Sequence, residues 1–237
     1  MKQLYHTLAF ALLLLLCTSC HSLQDSATTN ITGKEKNFRL SAKEKREGFK
    51  ILFDGVSMDQ WIDNTDQYVV EEGCIVMQPK TLYGGNLYSK EEYENFIFRF
   101  EFMLTPGANN GVGTRHKIVN TPKGYDGIEL QILDDYDPKY KDLEPYQYHG
   151  SLYGWVPAKR GYLKPSGEWN YQEVIMNGNK LQVVLNGTPI MEADFDELIK
   201  NAPEGKNVSK LQYKKGHIAF LGHGDVIKLR NIRVKEL

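Results

Sequence analysis

The feature that most limits what this chain can become is a run in which every second residue is large and apolar. Phe96, Phe98, Phe100, Phe102 and Leu104 fall on one side of it, and Ile97, Arg99, Glu101 and Met103 on the other. A repeat of two belongs to a β-strand, because successive side chains leave a strand on opposite faces. The same beat returns in Ile128, Leu130 and Ile132, set against Glu129 and Gln131. It returns again in Leu181, Val183 and Leu185, set against Gln182 and Val184, and Val226 to Val234 reads as a last strand. Between the runs sit Asn177-Gly178-Asn179, Asn186-Gly187, Pro106-Gly107 and Asn109-Asn110-Gly111. Asn and Gly tolerate positive φ and so close short connections. The best helical candidate, Asp196 to Asn201, is short. Many strands with tight turns predict an all-β fold, a two-sheet antiparallel sandwich.

The first residues obey a different rule. Lys2 precedes Leu8 to Cys17, an unbroken apolar run that includes the leucines from 12 to 16. It is shorter than the roughly 20 apolar residues of a membrane-spanning helix and fits the apolar part of a secretory signal. Thr18 and Ser19 stand directly before Cys20. That pattern resembles the lipobox of bacterial lipoproteins, in which the cysteine is acylated and becomes the mature N-terminus. Cleavage without a lipid is the plainer alternative. From there to Glu47 the chain is polar and charged without apolar periodicity, as a tether is. The expected organisation is a signal peptide over 1–19, a lipid-anchored flexible tether over 20–47, and one domain over 48–237. The protein is then exported and held on a bacterial membrane, periplasmic or at the cell surface, through Cys20 alone.

Charge and cysteine usage remove other classes. Lys and Arg total 29 against 30 Asp and Glu, and no basic stripe stands out, which argues against a nucleic-acid partner. Cys74 is the one cysteine of the folded part, so the fold has no internal disulfide and rests on its core. Within Gly73-Cys74-Ile75-Val76-Met77 it reads as a small buried hydrophobe. There is no phosphate-cradling glycine loop, no His-Glu-x-x-His pair and no nucleophile-elbow serine.

The candidate site starts from Glu129 and Gln131, which alternation places together on the face opposite Ile128, Leu130 and Ile132. A solvated strand face is one reading of that pair. The other comes from the segment 134–170, which lacks periodicity and is rich in Tyr, Trp, Pro and Gly. Long loops of that kind in compact domains are commonly functional. This one brings His149, Tyr153, Trp155, Lys164 and Trp169 within chain reach of the face, and Arg115 and Glu101 can share it. Aromatic rings beside carboxylates, amides and guanidinium groups suit a sugar, whose C–H faces stack and whose hydroxyls pair. Two carboxylates, such as Glu129 and Asp134, also suit glycosidic cleavage. His223 stands between Gly222 and Gly224, which let the backbone approach a ligand closely.

The chain also resembles a known family, the 3-keto-disaccharide hydrolase domain. The resemblance is carried by Gly48-Phe49-Lys50-Ile51-Leu52-Phe53-Asp54-Gly55 with Trp61, by Tyr93 to Phe102, and by Asn109-Asn110-Gly111-Val112. It continues through Glu129-Leu130-Gln131-Ile132-Leu133-Asp134, Ser151-Leu152-Tyr153-Gly154, Gly167-Glu168-Trp169-Asn170 and Leu185-Asn186-Gly187. Gly222-His223-Gly224 and Leu229-Arg230-Asn231-Ile232 complete it. The resemblance implies a concanavalin A-like jelly roll, a carbohydrate substrate, and cleavage of glycosidic bonds in sugars oxidised to a ketone at C3. A sugar 3-dehydrogenase would act upstream. It places Arg115, Glu129, Gln131, Asp134, His149, Tyr153, Lys164 and Trp169 on the site-lining pattern. The family often carries Gln-Asp where Leu221-Gly222 stand here, so a polar pair is replaced.

A C3 ketone acidifies the C2 proton, and the enolate left by its removal expels the C1 substituent. The expected roles follow. His149 or Glu129 is the base, Lys164 and Arg115 stabilise the enolate, and Asp134 orients or protonates. Gln131, Glu101, Tyr153, Trp155, Trp169, Asn170 and His223 bind substrate. No cofactor and no metal is required. A non-catalytic surface glycan-binding protein and an ordinary acid/base glycoside hydrolase are the alternative readings.

Overall fold

The computed structural model describes residues 39–63, 65–80, 85–119 and 125–237. The expected signal peptide, Cys20 and most of the expected tether lie outside them. The first described element, helix α1 (Ala42–Glu47), falls at the end of the stretch whose composition reads as tether. Ser41 caps it: its hydroxyl accepts the Glu44 amide while the Glu44 carboxylate accepts the Ser41 amide, a reciprocal capping box. Glu44 also accepts a 2.7 Å bond from Arg233. The last turn before the domain is therefore fixed to its final strand, so this end of the expected tether is held against the domain.

The strands follow in the order β1 (Lys50–Ile51), β2 (Trp61–Ile62), β3 (Tyr68–Glu71), β4 (Cys74–Met77), β5 (Asn86–Tyr93), β6 (Phe96–Leu104), β7 (Asn109–Ile118) and β8 (Tyr125–Leu133). After the long loop come β9 (Trp169–Asn177), β10 (Lys180–Leu185), β11 (Thr188–Asp194), helix α2 (Phe195–Lys200), β12 (Gly216–Gly222) and β13 (Ile227–Glu236). They form two antiparallel sheets. The larger runs β11-β10-β9-β6-β13-β4-β3, with β1 also on β13; the smaller runs β2-β5-β12-β7-β8. The fold is the all-β two-sheet sandwich that the alternation predicts. β9 to β11 turn at the expected dipeptides, and Asn186 and Gly187 both hold the positive φ that a tight hairpin turn requires. The helix expected at Asp196 to Asn201 starts one residue earlier, where the Asp194 carboxylate caps the Asp196 amide.

The core lies between the sheets and defines which side of each strand faces outward. Phe98, Phe100 and Phe102 of β6 are fully buried and stack along the strand at 5.1 and 5.9 Å. Phe220 of β12 reaches across from the other sheet, 5.9 Å from Phe98 and 5.4 Å from Phe100 and Trp61. Truncating one such ring to alanine costs about 3–5 kcal/mol. Cys74 is buried in β4, as its neighbours predict.

Candidate functional site

Pairing register assembles the outer face of the smaller sheet row by row. One row joins Ile62, Tyr88, Ala219, Gly113 and Glu129 across β2, β5, β12, β7 and β8. The next joins Asn86, Leu221, Gly111 and Gln131. The loop after β8 then returns and lies along that edge strand. The Gln131 amide donates to Ser151 O at 3.0 Å, Gly150 N to Gln131 O at 2.8 Å, and Tyr153 N to Glu129 O at 2.9 Å. Leu152 pairs with Leu130 and fills the core, so Tyr153 stands beside Glu129 on the outer side. Its hydroxyl accepts a 2.8 Å bond from Gln147 Nε2.

Two side chains lie down across this face because glycines of β7 and β8 put no Cβ atoms beneath them. A Cβ on Gly111 would fall 2.3 Å from Glu129 Oε1, so the carboxylate crosses the strand over a glycine. Further along, the His116 ring fills the space that Cβ atoms on Gly113 and Gly127 would occupy, and its Nε2 meets Ile128 O at 2.8 Å. Burial drives the His116 pKa down to about 4, so that ring is a neutral part of the floor.

Crossing Gly111 brings Glu129 Oε1 to 2.9 Å from His223 Nε2, just beyond the end of β12. Burial works against a charged imidazole there, but the bond to Glu129 and the charges of Glu129 and Asp225 outweigh it and raise the His223 pKa. His223 therefore favours the imidazolium, paired with a carboxylate. Asp225 holds the neighbouring turn by accepting the Asn109 amide at 2.9 Å. Next to the pair, Gln131 Nε2 donates to Asn109 Oδ1 at 2.7 Å. Glu129, His223, Gln131 and Tyr153 are the predicted site residues that the fold brings together.

The others are placed elsewhere, each for a visible reason. His149 is buried between the sheets, stacked on Phe102 at 5.1 Å, with its pKa pushed down to about 4 by burial. It is a core histidine, not a base on this face. Arg115 sits at a break in the β7 register with φ +52°. Its guanidinium donates to the carbonyls of Glu94, Tyr213 and Gly178 at 2.7–3.0 Å, which ties three chain segments together inside the fold. Asp134 is buried and accepts the amides of Gly107 and Tyr136 as a loop cap. Glu101 and Trp169 lie on the outer face of the larger sheet, across the sandwich from Glu129. There Glu101 holds Arg230 at 2.6 Å and Asn231 at 3.0 Å, and Arg230 lies over the Trp169 ring at 3.8 Å. Lys164 donates to Trp169 O at 3.0 Å, and Asn170 is buried, binding Lys164 N and Asn186 Nδ2. Trp155 lies past Tyr153 under the Lys206 ammonium.

Sequence reasoning missed Asn109, which the strand pattern marks only as a turn, and Asp225 and Lys139. Lys139 is the cation that faces Asp225 from the loop after β8. Its pKa is raised by its hydrogen bond to Tyr140, with smaller help from Asp225 and Asp137. Only its place in an irregular loop, invisible to periodicity, brings it there. Among the described residues, no group of three or more His, Cys, Asp or Glu is arranged to hold a metal ion.

Comparison with known proteins bears on what such a face does. A family model described as the 3-keto-alpha-glucoside-1,2-lyase-like domain matches residues 48–235. The chain is 25% identical to a 3-keto-disaccharide hydrolase of Bacteroides thetaiotaomicron, with the whole of both chains aligned. A crystal structure from Parabacteroides distasonis, provisionally named a glycosyl hydrolase, superposes with a TM-score of 0.72 at 22% identity, over 84% of this chain and 99% of that one. A Bacillus subtilis protein with a galectin-like fold superposes with a TM-score of 0.51 at 12% identity, over 84% and 94%. The architecture is thus a jelly-roll sandwich.

Proposed function

The chain belongs to the 3-keto-alpha-glucoside-1,2-lyase-like family, and from that premise we propose that it cleaves the glycosidic bond of 3-keto-disaccharides or 3-keto-glycosides with Glu129 and His223 as its base and acid. The observation that carries this reading is the 2.9 Å Glu129–His223 bond on an outer sheet face floored by glycine.

The ketone at C3 makes the C2 hydrogen acidic. The Glu129 carboxylate takes that proton, and the electron pair of the C2–H bond forms the enolate across C2 and C3. The enolate collapses to a C1=C2 double bond as the C1–O bond breaks, and the leaving oxygen takes a proton from His223. A proton then passes from Glu129 to His223 across their hydrogen bond and restores the pair. Addition of water across C1=C2 completes a net hydrolysis. The Gln131–Asn109 amide pair and the Tyr153 hydroxyl offer hydrogen bonds to the sugar hydroxyls and to the ketone oxygen, where negative charge develops. The 25% identity to a 3-keto-disaccharide hydrolase supports this substrate class.

The test is turnover of 3-keto-glucosides in deuterated water. Released aglycone and deuterium at C2 are expected, and Glu129→Gln and His223→Asn should each lower kcat by about 100- to 10,000-fold. Wild-type rates in Glu129→Gln would overturn the assignment. Binding of unoxidised glycans with no turnover of any 3-keto sugar would instead make this a glycan-binding protein.

A further inference from the structure

The direction of the Tyr153 hydroxyl proton is set by a residue outside the proposed acid–base pair. Three contacts fix the place of this tyrosine. Its backbone N–H donates to Glu129 O at 2.9 Å, which holds it against the strand that carries the carboxylate. The Tyr146 ring meets its ring edge-on at 6.4 Å. Gln147 Nε2 donates to its hydroxyl oxygen at 2.8 Å. A ligand can still reach it, because Tyr153 is 42% exposed.

The Gln147 amide cannot face the other way. Gln147 ends a single 3₁₀ turn, Pro145–Gln147, and its Oε1 accepts the Glu144 backbone amide at 3.0 Å. A backbone N–H only donates, so the carbonyl end of the Gln147 side chain is committed to the turn and its NH2 end is left for Tyr153. The turn is itself anchored. Gln147 N donates to Glu144 O at 2.9 Å, and the buried Tyr148 that follows donates its hydroxyl to Tyr140 O at 3.0 Å. A phenol carries one proton. With Gln147 donating to the oxygen, that proton is left for another partner, and a donor at the oxygen also polarises the O–H bond. Tyr153 therefore meets a ligand beside Glu129 as a hydrogen-bond donor.

We propose that Gln147 is a positioning residue for the cleavage: it holds Tyr153 as a donor toward the C3 oxygen, where negative charge develops as C2 loses its proton. The proposal rests on the reading of Glu129 and His223 as the base and acid. Gln147 acts through Tyr153 rather than on the sugar. A developing oxyanion is stabilised by a donor aimed at it in advance and is repelled by an acceptor. A carboxylate in place of the amide would reverse the pair, because it takes the phenol proton for itself.

Gln147→Glu is the test. It keeps an acceptor for the Glu144 amide, and so the turn, but accepts from the Tyr153 hydroxyl where the amide donates. The full chain, isotope-labelled at tyrosine Cζ, is followed by NMR from about pH 4.5 to 8, with the Tyr153 signal identified by its loss in Tyr153→Phe. That signal should show a carboxylate titration in Gln147→Glu that wild type lacks, and an unmoved signal overturns the contact. With 3-keto-glucosides, kcat of Gln147→Glu divided by that of wild type at the same pH should be down at least about 10-fold at pH 8. It should recover by at least about 3-fold by pH 4.5, near the ordinary glutamate pKa of about 4.3, where the protonated carboxyl group can donate again. A wild-type kcat at pH 8, or a loss that ignores pH, overturns the positioning role. So does the same pH-dependent loss in a Tyr153→Phe background, because the added charge would then act without the phenol. The NMR readout needs no oxidised sugar, so a failure of the 3-keto chemistry is seen separately, as absent wild-type turnover with the titration intact.

Discussion

Replacing His149 by Phe separates a core histidine from a catalytic one. The ring is buried against Phe102 at 5.1 Å and accepts a long 3.4 Å bond from Leu133 N. Burial lowers its pKa to about 4, and the contact with Gln172 offsets only a small part of that. A histidine that is neutral when folded and protonated when unfolded removes stability as pH falls. Its contribution is complete above the unfolded value near 6.5 and is lost as pH drops toward the folded value near 4. At pH 5 the loss relative to pH 8 is about 2 kcal/mol, from roughly 1.5 units at 1.36 kcal/mol each. Phe keeps the stack and most of the volume and removes the titration. It also removes an acceptor from the Leu133 amide, at about 1 kcal/mol at every pH. His149→Phe should therefore be about 1 kcal/mol less stable than wild type at pH 8 and about 1 kcal/mol more stable at pH 5. Urea unfolding followed by tryptophan fluorescence from pH 5 to 8 measures the crossing, and the equally buried His116 contributes to both proteins and cancels. A constant offset across that range would refute the burial argument. A 1,000-fold loss of kcat with the fold intact would return His149 to the chemistry.

Three further outcomes follow from the geometry. Arg115→Ala strands the carbonyls of Glu94, Tyr213 and Gly178 inside the fold and should cost about 3–5 kcal/mol in denaturant unfolding. Retained stability with lost activity would restore Arg115 to the site. Asp225→Asn keeps the acceptor for the Asn109 amide but removes a charge that raises the His223 pKa. Activity that needs protonated His223 is lost as pH rises through its folded pKa, so the alkaline limb of the kcat profile should move to lower pH, and an unmoved limb rules out His223 as the acid. Gly111→Ala would place a Cβ 2.3 Å from Glu129 Oε1, so the carboxylate must swing away. A fall in kcat of at least about 10-fold, with little change in melting temperature, is expected, and wild-type kcat would show that the crossing of Gly111 is not needed.

Alternation told which side of a strand a residue takes, but not which sheet the strand joins. That is why Glu129 and Gln131 were legible as partners while Glu101 and Trp169 were misplaced. β6 and β9 alternate as cleanly as β8, yet they pair in the larger sheet, so their polar residues look out from the opposite side of the sandwich. Arg115 was lost for a different reason. The register of β7 slips between Thr114 and Lys117, and the slip takes Arg115 out of the period-two pattern and into the fold. Chain reach was no better a guide in the loop. Ser151 and Tyr153 return to β8 through backbone bonds, whereas His149, two residues earlier, turns in under Phe102.

The replacement of a polar pair by Leu221-Gly222 gains a physical meaning from the same register. Leu221 lies on the outer face in the row of Gly111 and Gln131, and it packs with Tyr88, Ala219 and Ile62 into a small apolar cluster of its own. Gly222 turns inward, where a Cβ would fall 2.2 Å from Met77 Cε and 2.5 Å from Gly85 O. A polar side chain at 222 would have no room and no access to the face. The polar groups of the face are instead concentrated on the β8 side, in Glu129, Gln131, Tyr153 and Asn109, with His223 closing the end of β12. What the sequence presents as the loss of two contacts is, in the fold, an apolar strip along β12 beside a polar strip along β8.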